Sequence, residues 1–135
     1  MHISESITIN ASPDEVWKVA GDVANVSDWV PAISASRLEG DIRHATFADG
    51  SRARERIVEV DDKARSYVYE YLDGPLALES YTSTLAVRSA EGGSSLVTWD
   101  ADLSAANDEV ERGLFTAISG IYSSALSELS NQVSR

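Results

Sequence analysis

The chain has 135 residues, 43% of them apolar, which is enough for one domain with a real core and too few for two. Its 22 acidic against 11 basic side chains leave a net charge of −11, a balance that repels phosphate backbones and anionic membrane surfaces and argues against nucleic acid as a partner. Cysteine is absent, which excludes disulfides, thiolate metal sites and cysteine nucleophiles.

Residues 2–10 read as a half-buried strand, with Ile3, Ile7 and Ile9 on one face and Ser4, Ser6 and Thr8 on the other. No basic and apolar leader precedes this strand, and no apolar run approaches the ~20 residues of a spanning helix, so a cytoplasmic protein without stable membrane insertion is expected. Ser12, Pro13 and Glu15 form a helix start, with a cap, a proline at the first position and capping-box spacing. Gly21, Asp22 and Asn25 interrupt that helix, and a second short amphipathic piece carrying Val23, Val26 and Trp29 stops at Pro31.

From Pro31 onward, turn signals at 40–41, 49–50, 61–63, 73–75 and 91–93 space out the strands of an antiparallel meander. Tyr81, Ser83, Leu85 and Val87 share a face of one strand, and Val97, Trp99, Ala101 and Leu103 share a face of the next. The segment from Asp108 to Val133 predicts one long helix, opened by Asp108 and Glu111 at capping-box spacing, with Val110, Leu114, Ile118, Ile121, Ala125 and Leu129 as its apolar rail. Beside that rail runs a small one, Gly113, Ala117, Gly120 and Ser124; close approach of the helix to a strand is favoured over widening of a cavity.

Through "ASPDEVW", "DWVPAI", "ERIVEVDDKARSYVYEY", "GPLALESY", "GGSSLVTWDADL" and the closing helical run, the chain resembles the START-like, helix-grip (SRPBCC) superfamily, in its polyketide cyclase/dehydratase-like branch. The resemblance covers essentially all of residues 1–135 and implies an α+β fold, a curved seven-stranded antiparallel sheet around the C-terminal helix, with two short helices after the first strand, forming a single ligand-binding domain. Superfamily members do different things, so function has to be sought in the site.

Tyr67, Tyr69 and Tyr71 alternate along one strand, and with Tyr81, Trp99 and Trp29 they would line a cavity with rings and a few hydroxyls. Ile57, Ser83, Leu85, Leu114, Ile118 and Ile121 complete the candidate lining, open near Trp29 and holding a ligand of a few hundred Å³. In the strand 52–60 one register turns Ala53, Glu55, Ile57 and Glu59 inward and the other turns Arg52, Arg54 and Arg56 inward. Three arginines in a closed core would lack partners, so Glu55 is expected inside, and the resemblance agrees. Glu55, with Tyr67 or Tyr69 orienting or donating, is then the candidate proton-transfer group; the structural alternative is a carboxylate held by hydrogen bonds.

His2 and His44 read as separate, solvated residues, Asp61, Asp62 and Asp73 as turn residues, and Gly92-Gly93 as part of a hairpin, so no metal and no cofactor are expected. Two functions stay open: binding of a hydrophobic small molecule (lipid, polyketide or polycyclic metabolite), or a polyketide cyclase/dehydratase-like enzyme. Ala53 and Ser83 stand where aromatases of the superfamily tend to carry bulky aromatic residues, which favours binding. Whether the protein is a monomer or a homodimer is left open.

Overall fold

The alternation of the first strand is realised as β1 (His2–Ile9), which buries Ile3 and Ile9 completely and Ile7 in part; the computed structural model describes residues 1–135. At the start of α1 (Pro13–Ala20) the capping box is closed: the Glu15 backbone N–H donates to Ser12 Oγ at 3.2 Å, and the Ser12 backbone N–H donates to Glu15 Oε1 at 3.4 Å. The second helical piece is a 3₁₀ segment, Val23–Asp28, kinked at Asn25 and ending before Trp29. Asp22 and Asn25 are poor helix formers, so only one tight turn at a time is stable there.

Six further strands follow: β2 (Ile33–Glu39), β3 (Ile42–Phe47), β4 (Arg52–Asp61), β5 (Ser66–Asp73), β6 (Ser80–Ser89) and β7 (Ser95–Ser104). All pair antiparallel in one seven-stranded sheet of order β1-β7-β6-β5-β4-β3-β2. In β4 the inward set is the one with Ala53 and Glu55, while Arg52, Arg54 and Arg56 face outward. The expected inward position of Glu59 is a correction. A bulge between Ile57 and Glu59 breaks the two-residue period, so Val58, Glu59 and Val60 are all exposed, Val58 by 54%.

α2 (Asp108–Val133) is one continuous helix of 26 residues. Its cap is Asn107, one residue earlier than expected: Asn107 Oδ1 accepts from the Val110 N–H at 2.9 Å, which places Asp108, Glu109 and Glu111 in the first turn, where the helix dipole favours negative charge. The helix buries Leu114, Ile118, Tyr122, Ala125, Leu126 and Leu129 and packs on β1 and β7. The small rail of Gly113, Ala117, Gly120 and Ser124 faces solvent, and a Cβ added at either glycine would meet nothing. This corrects the expected close approach to a strand, because the rail lies one residue, about 100°, round from the buried stripe. No helix is long and apolar enough to cross a membrane.

Candidate ligand cavity

Because α2 lies over β1 and β7, the opposite limb of the sheet is left for side chains to fill, and a cavity sits between them. Of its 16 lining residues 14 are hydrophobic, and the two charged ones are Arg43 and Glu55. Strand register brings this pair together: Arg43 on β3 is opposite Glu55 on β4, which is opposite Tyr71 on β5. Arg43 Nε donates to Glu55 Oε1 at 2.8 Å, and Arg43 Nη1 donates to the Val23 carbonyl at 3.1 Å and the Tyr67 hydroxyl at 3.2 Å. The guanidinium also lies 4.8 Å from the centre of the Tyr69 ring and 5.6 Å from that of Tyr67. Burial opposes its charge, yet Tyr67, Glu55 and Tyr69 together hold its pKa above the ordinary arginine value, so a side chain only 2% exposed stays cationic.

A second network runs through the tyrosines. Tyr69 meets Tyr81 at 3.2 Å between hydroxyls, Tyr81 meets Tyr122, and Tyr122 reaches Ser83 Oγ at 2.8 Å. Ser83 Oγ also takes the Trp99 indole N–H at 2.9 Å and donates to the Asp100 carbonyl at 3.0 Å. The Trp99 ring stacks on Tyr122 at 3.9 Å and 8°, and Trp29 leans on Trp99 at 5.4 Å. Burial raises the pKa of Tyr69 and Tyr122 well above the usual phenol value and pushes Tyr81 up to about 12. Tyr71, less buried, is raised for the same reason, partly offset by the Leu76 backbone N–H that donates to its hydroxyl at 3.0 Å.

Of the residues singled out from the sequence, Glu55, Tyr69, Tyr71, Tyr81, Trp99, Ile118 and Ile121 line the cavity. Tyr67, Trp29, Ser83, Leu85 and Leu114 are buried and Ile57 half-buried, but none of them is on the cavity wall. The Trp29 ring is packed in the core with its indole N–H buried without a partner, while Val26 and Val30 on either side of it reach the cavity wall. The size differs too. The enclosed volume is about 50 Å³, well under the ~300–1,000 Å³ of ordinary small-molecule sites, because the aromatic rings interlock across most of the space. His44 is also less solvated than expected; it is half-buried, with Nε2 lacking a hydrogen-bond partner and 3.7 Å from Glu39.

Arg43 and Tyr122 were missed by the sequence reading. Arg43 alternates with Ala45 and Phe47, which marks it as inward, but an arginine in that phase reads as a surface residue. Tyr122 is four residues beyond Ile118 and three before Ala125, the signature of the buried stripe, and was obscured by its neighbour Ile121.

The chain belongs to the family described as polyketide cyclase/dehydrase and lipid transport, which matches residues 1–133, and so to the START-like helix-grip superfamily. Among solved structures, the Bacillus cereus protein XoxI is 31% identical over 98% of this chain and 94% of its own, with a TM-score of 0.92. An uncharacterised Bacillus thuringiensis protein is 31% identical over 98% of both chains, with a TM-score of 0.90. Truncated norcoclaurine synthase from Thalictrum flavum, 21% identical over 98% of this chain and 92% of its own, shares the fold at a TM-score of 0.78. No curated protein matches the sequence.

Proposed function

We propose that the protein binds a hydrophobic small molecule, a lipid, polyketide or polycyclic metabolite, between the sheet and α2. The observation that carries this reading is the wall itself: 14 apolar residues around one neutral pair, Arg43 and Glu55, suit an apolar body with a few polar atoms. The family description, which names both cyclase and lipid-transport members, supports the same class. A ligand larger than the 50 Å³ present needs the wall to move, and the segment 74–79 is the part best able to do so. It carries Leu76 and Leu78 in irregular backbone and is latched by the Leu76 N–H on the Tyr71 hydroxyl.

Native mass spectrometry of protein purified from its own host should show a copurified apolar molecule, and apolar fluorescent dyes should bind and quench tryptophan emission. Trp99 on the cavity wall is the reporter, so Trp99→Phe should remove most of that quenching. An empty protein that excludes every such dye would remove the proposal.

A second reading, an enzyme of the cyclase/dehydratase type, is favoured by one detail. Glu55 faces the cavity with Oε1 held by Arg43 and Oε2 without a protein partner, so one carboxylate oxygen is left to take a proton from a bound substrate. Glu55→Gln would then abolish turnover while leaving ligand affinity within about tenfold, or ~1.4 kcal/mol. Full activity in that variant leaves the binding function alone.

A further inference from the structure

The hydroxyls on the cavity wall are arranged in a chain whose direction is settled by its far end. Ser83 Oγ lies 3.0 Å from the Asp100 carbonyl oxygen, which can only accept, so the single Ser83 proton must lie between them. The Trp99 indole N–H, which can only donate, occupies one Ser83 lone pair at 2.9 Å. With the Ser83 proton committed, the 2.8 Å contact to Tyr122 requires Tyr122 to be the donor. Tyr122 has then used its proton, so Tyr81 donates to Tyr122, and by the same rule Tyr69 donates to Tyr81 across 3.2 Å. Reversing the chain would leave Ser83 Oγ and the Asp100 oxygen facing each other at 3.0 Å with no proton between them.

Burial keeps each of these phenols protonated near neutral pH, so no member drops out of the chain by ionising. Each hydroxyl has one proton and two lone pairs. Every proton points towards Ser83, which leaves two lone pairs on Tyr69 and one each on Tyr81 and Tyr122.

We propose that Ser83, through Tyr122, makes the tyrosine wall of the cavity an acceptor-only surface, and that the bound molecule meets it with a hydrogen-bond donor, a phenol or alcohol O–H or an N–H. This rests on the reading of the cavity as a ligand site and narrows the ligand class within it. A ketone or ether oxygen turned towards Tyr69 and Tyr81 would meet lone pairs, whereas the Arg43 guanidinium, whose Nη2 has no protein partner and which lies 4.8 Å from the centre of the Tyr69 ring, offers such an oxygen a donor from β3. The ligand that fits both is a hydroxylated ring system with a carbonyl or other acceptor on its Arg43 side. Tyr69 in this scheme accepts a hydrogen bond from the ligand and directs its own proton to Tyr81. Ser83 and Tyr122 are positioning residues in this scheme.

The test compares 2-naphthol with 2-naphthonitrile, a donor and an acceptor-only probe of similar size, by NMR titration or calorimetry. In the unmodified protein 2-naphthol should bind more tightly. Tyr122→Phe cuts the chain and frees the Tyr81 proton, so the preference for 2-naphthol should fall by about fivefold or more, the size of one neutral hydrogen bond. Ser83→Ala, which removes the anchor, should shift the ratio in the same direction. If both probes bind and the ratio is unchanged in both variants, the inference is overturned and the cavity reading stands. If neither probe binds, both fall. Locating the Ser83 hydroxyl proton by neutron diffraction or NMR tests the chain without any variant: the Asp100 side is the expected result, and the Tyr122 side overturns it.

Discussion

β1, β7 and β6 turn mainly apolar side chains inward beneath α2, Ile3, Val97, Leu85 and Leu103 among them, whereas β2, β3 and β4 carry five of the nine arginines and are tied to their neighbours by ion pairs. The first limb is held by close packing against a helix. In the second limb most pairs are exposed, Arg54–Asp73 and Arg56–Glu70 among them, and such pairs add little to stability. Only Arg43–Glu55 is turned inward, into the cavity that it lines together with Ile118, Ile121 and Tyr122 of α2. The cavity lies beside this pair, since a hydrogen-bonded guanidinium cannot interdigitate with a helix as leucines do.

Removing Arg43 should cost the most. Arg43→Ala leaves Glu55 and the Val23 carbonyl without their donor in a site where Glu55 is only 14% exposed, and a loss of about 3 kcal/mol is expected by chemical denaturation. A cost below about 1 kcal/mol would mean that the charged limb tolerates water as readily as its surface pairs do.

Leu129→Ala probes the packed face of α2 and should cost about 3 kcal/mol as well, marginally less because no charge is orphaned. Ile121→Ala, at a half-buried position on the cavity wall, should cost only about 1 kcal/mol and should enlarge the ligand space. Equal costs for Leu129→Ala and Ile121→Ala would erase the distinction between the packed part of α2 and the part that lines the cavity.

Alkaline pH separates the regions without a mutation. The folded pKa values of Tyr69, Tyr81 and Tyr122 are raised above the unfolded value of ~10, so their contribution is complete below that pH and is lost as pH rises through the folded values, about 12 for Tyr81. Denaturation midpoints should fall from about pH 10 upward, and Tyr122→Phe should flatten that fall. A flat profile to about pH 12 would contradict the burial of these phenols.

The smallest effect lies on the outer face of α2, which neither limb touches. Gly113→Ala and Gly120→Ala each place a methyl in open space in a helix interior, and each should raise stability by about 0.5–1 kcal/mol. A loss instead would mean that this face is covered in solution.

Much of this organisation could be read from local pattern. The period of the apolar residues assigns β1 and α2, the Ser12-Pro13-Glu15 start locates α1, and the cost of three buried arginines turns Glu55 inward, all of which depend on residues near one another in the chain. Local pattern failed where a neighbour across the sheet decides. The bulge after Ile57 is set by how β4 pairs with β5, and it moved Glu59 outward against the alternation.

The amino-acid sequence alone thus determined the order of strands and helices, the span of α2 and the side of β4 that faces the core, because hydrophobic period and turn chemistry are properties of short segments. The tertiary structure decided what the cavity is. Arg43 becomes an interior cation only once Glu55 and Tyr67, 12 and 24 residues away, supply its hydrogen bonds. The direction of the hydroxyl chain likewise depends on β5, β6, β7 and α2 placing Tyr69, Ser83, the Asp100 carbonyl and Tyr122 within reach of one another. Hydrogen-bond polarity is a property of that assembled set and of none of its strands alone.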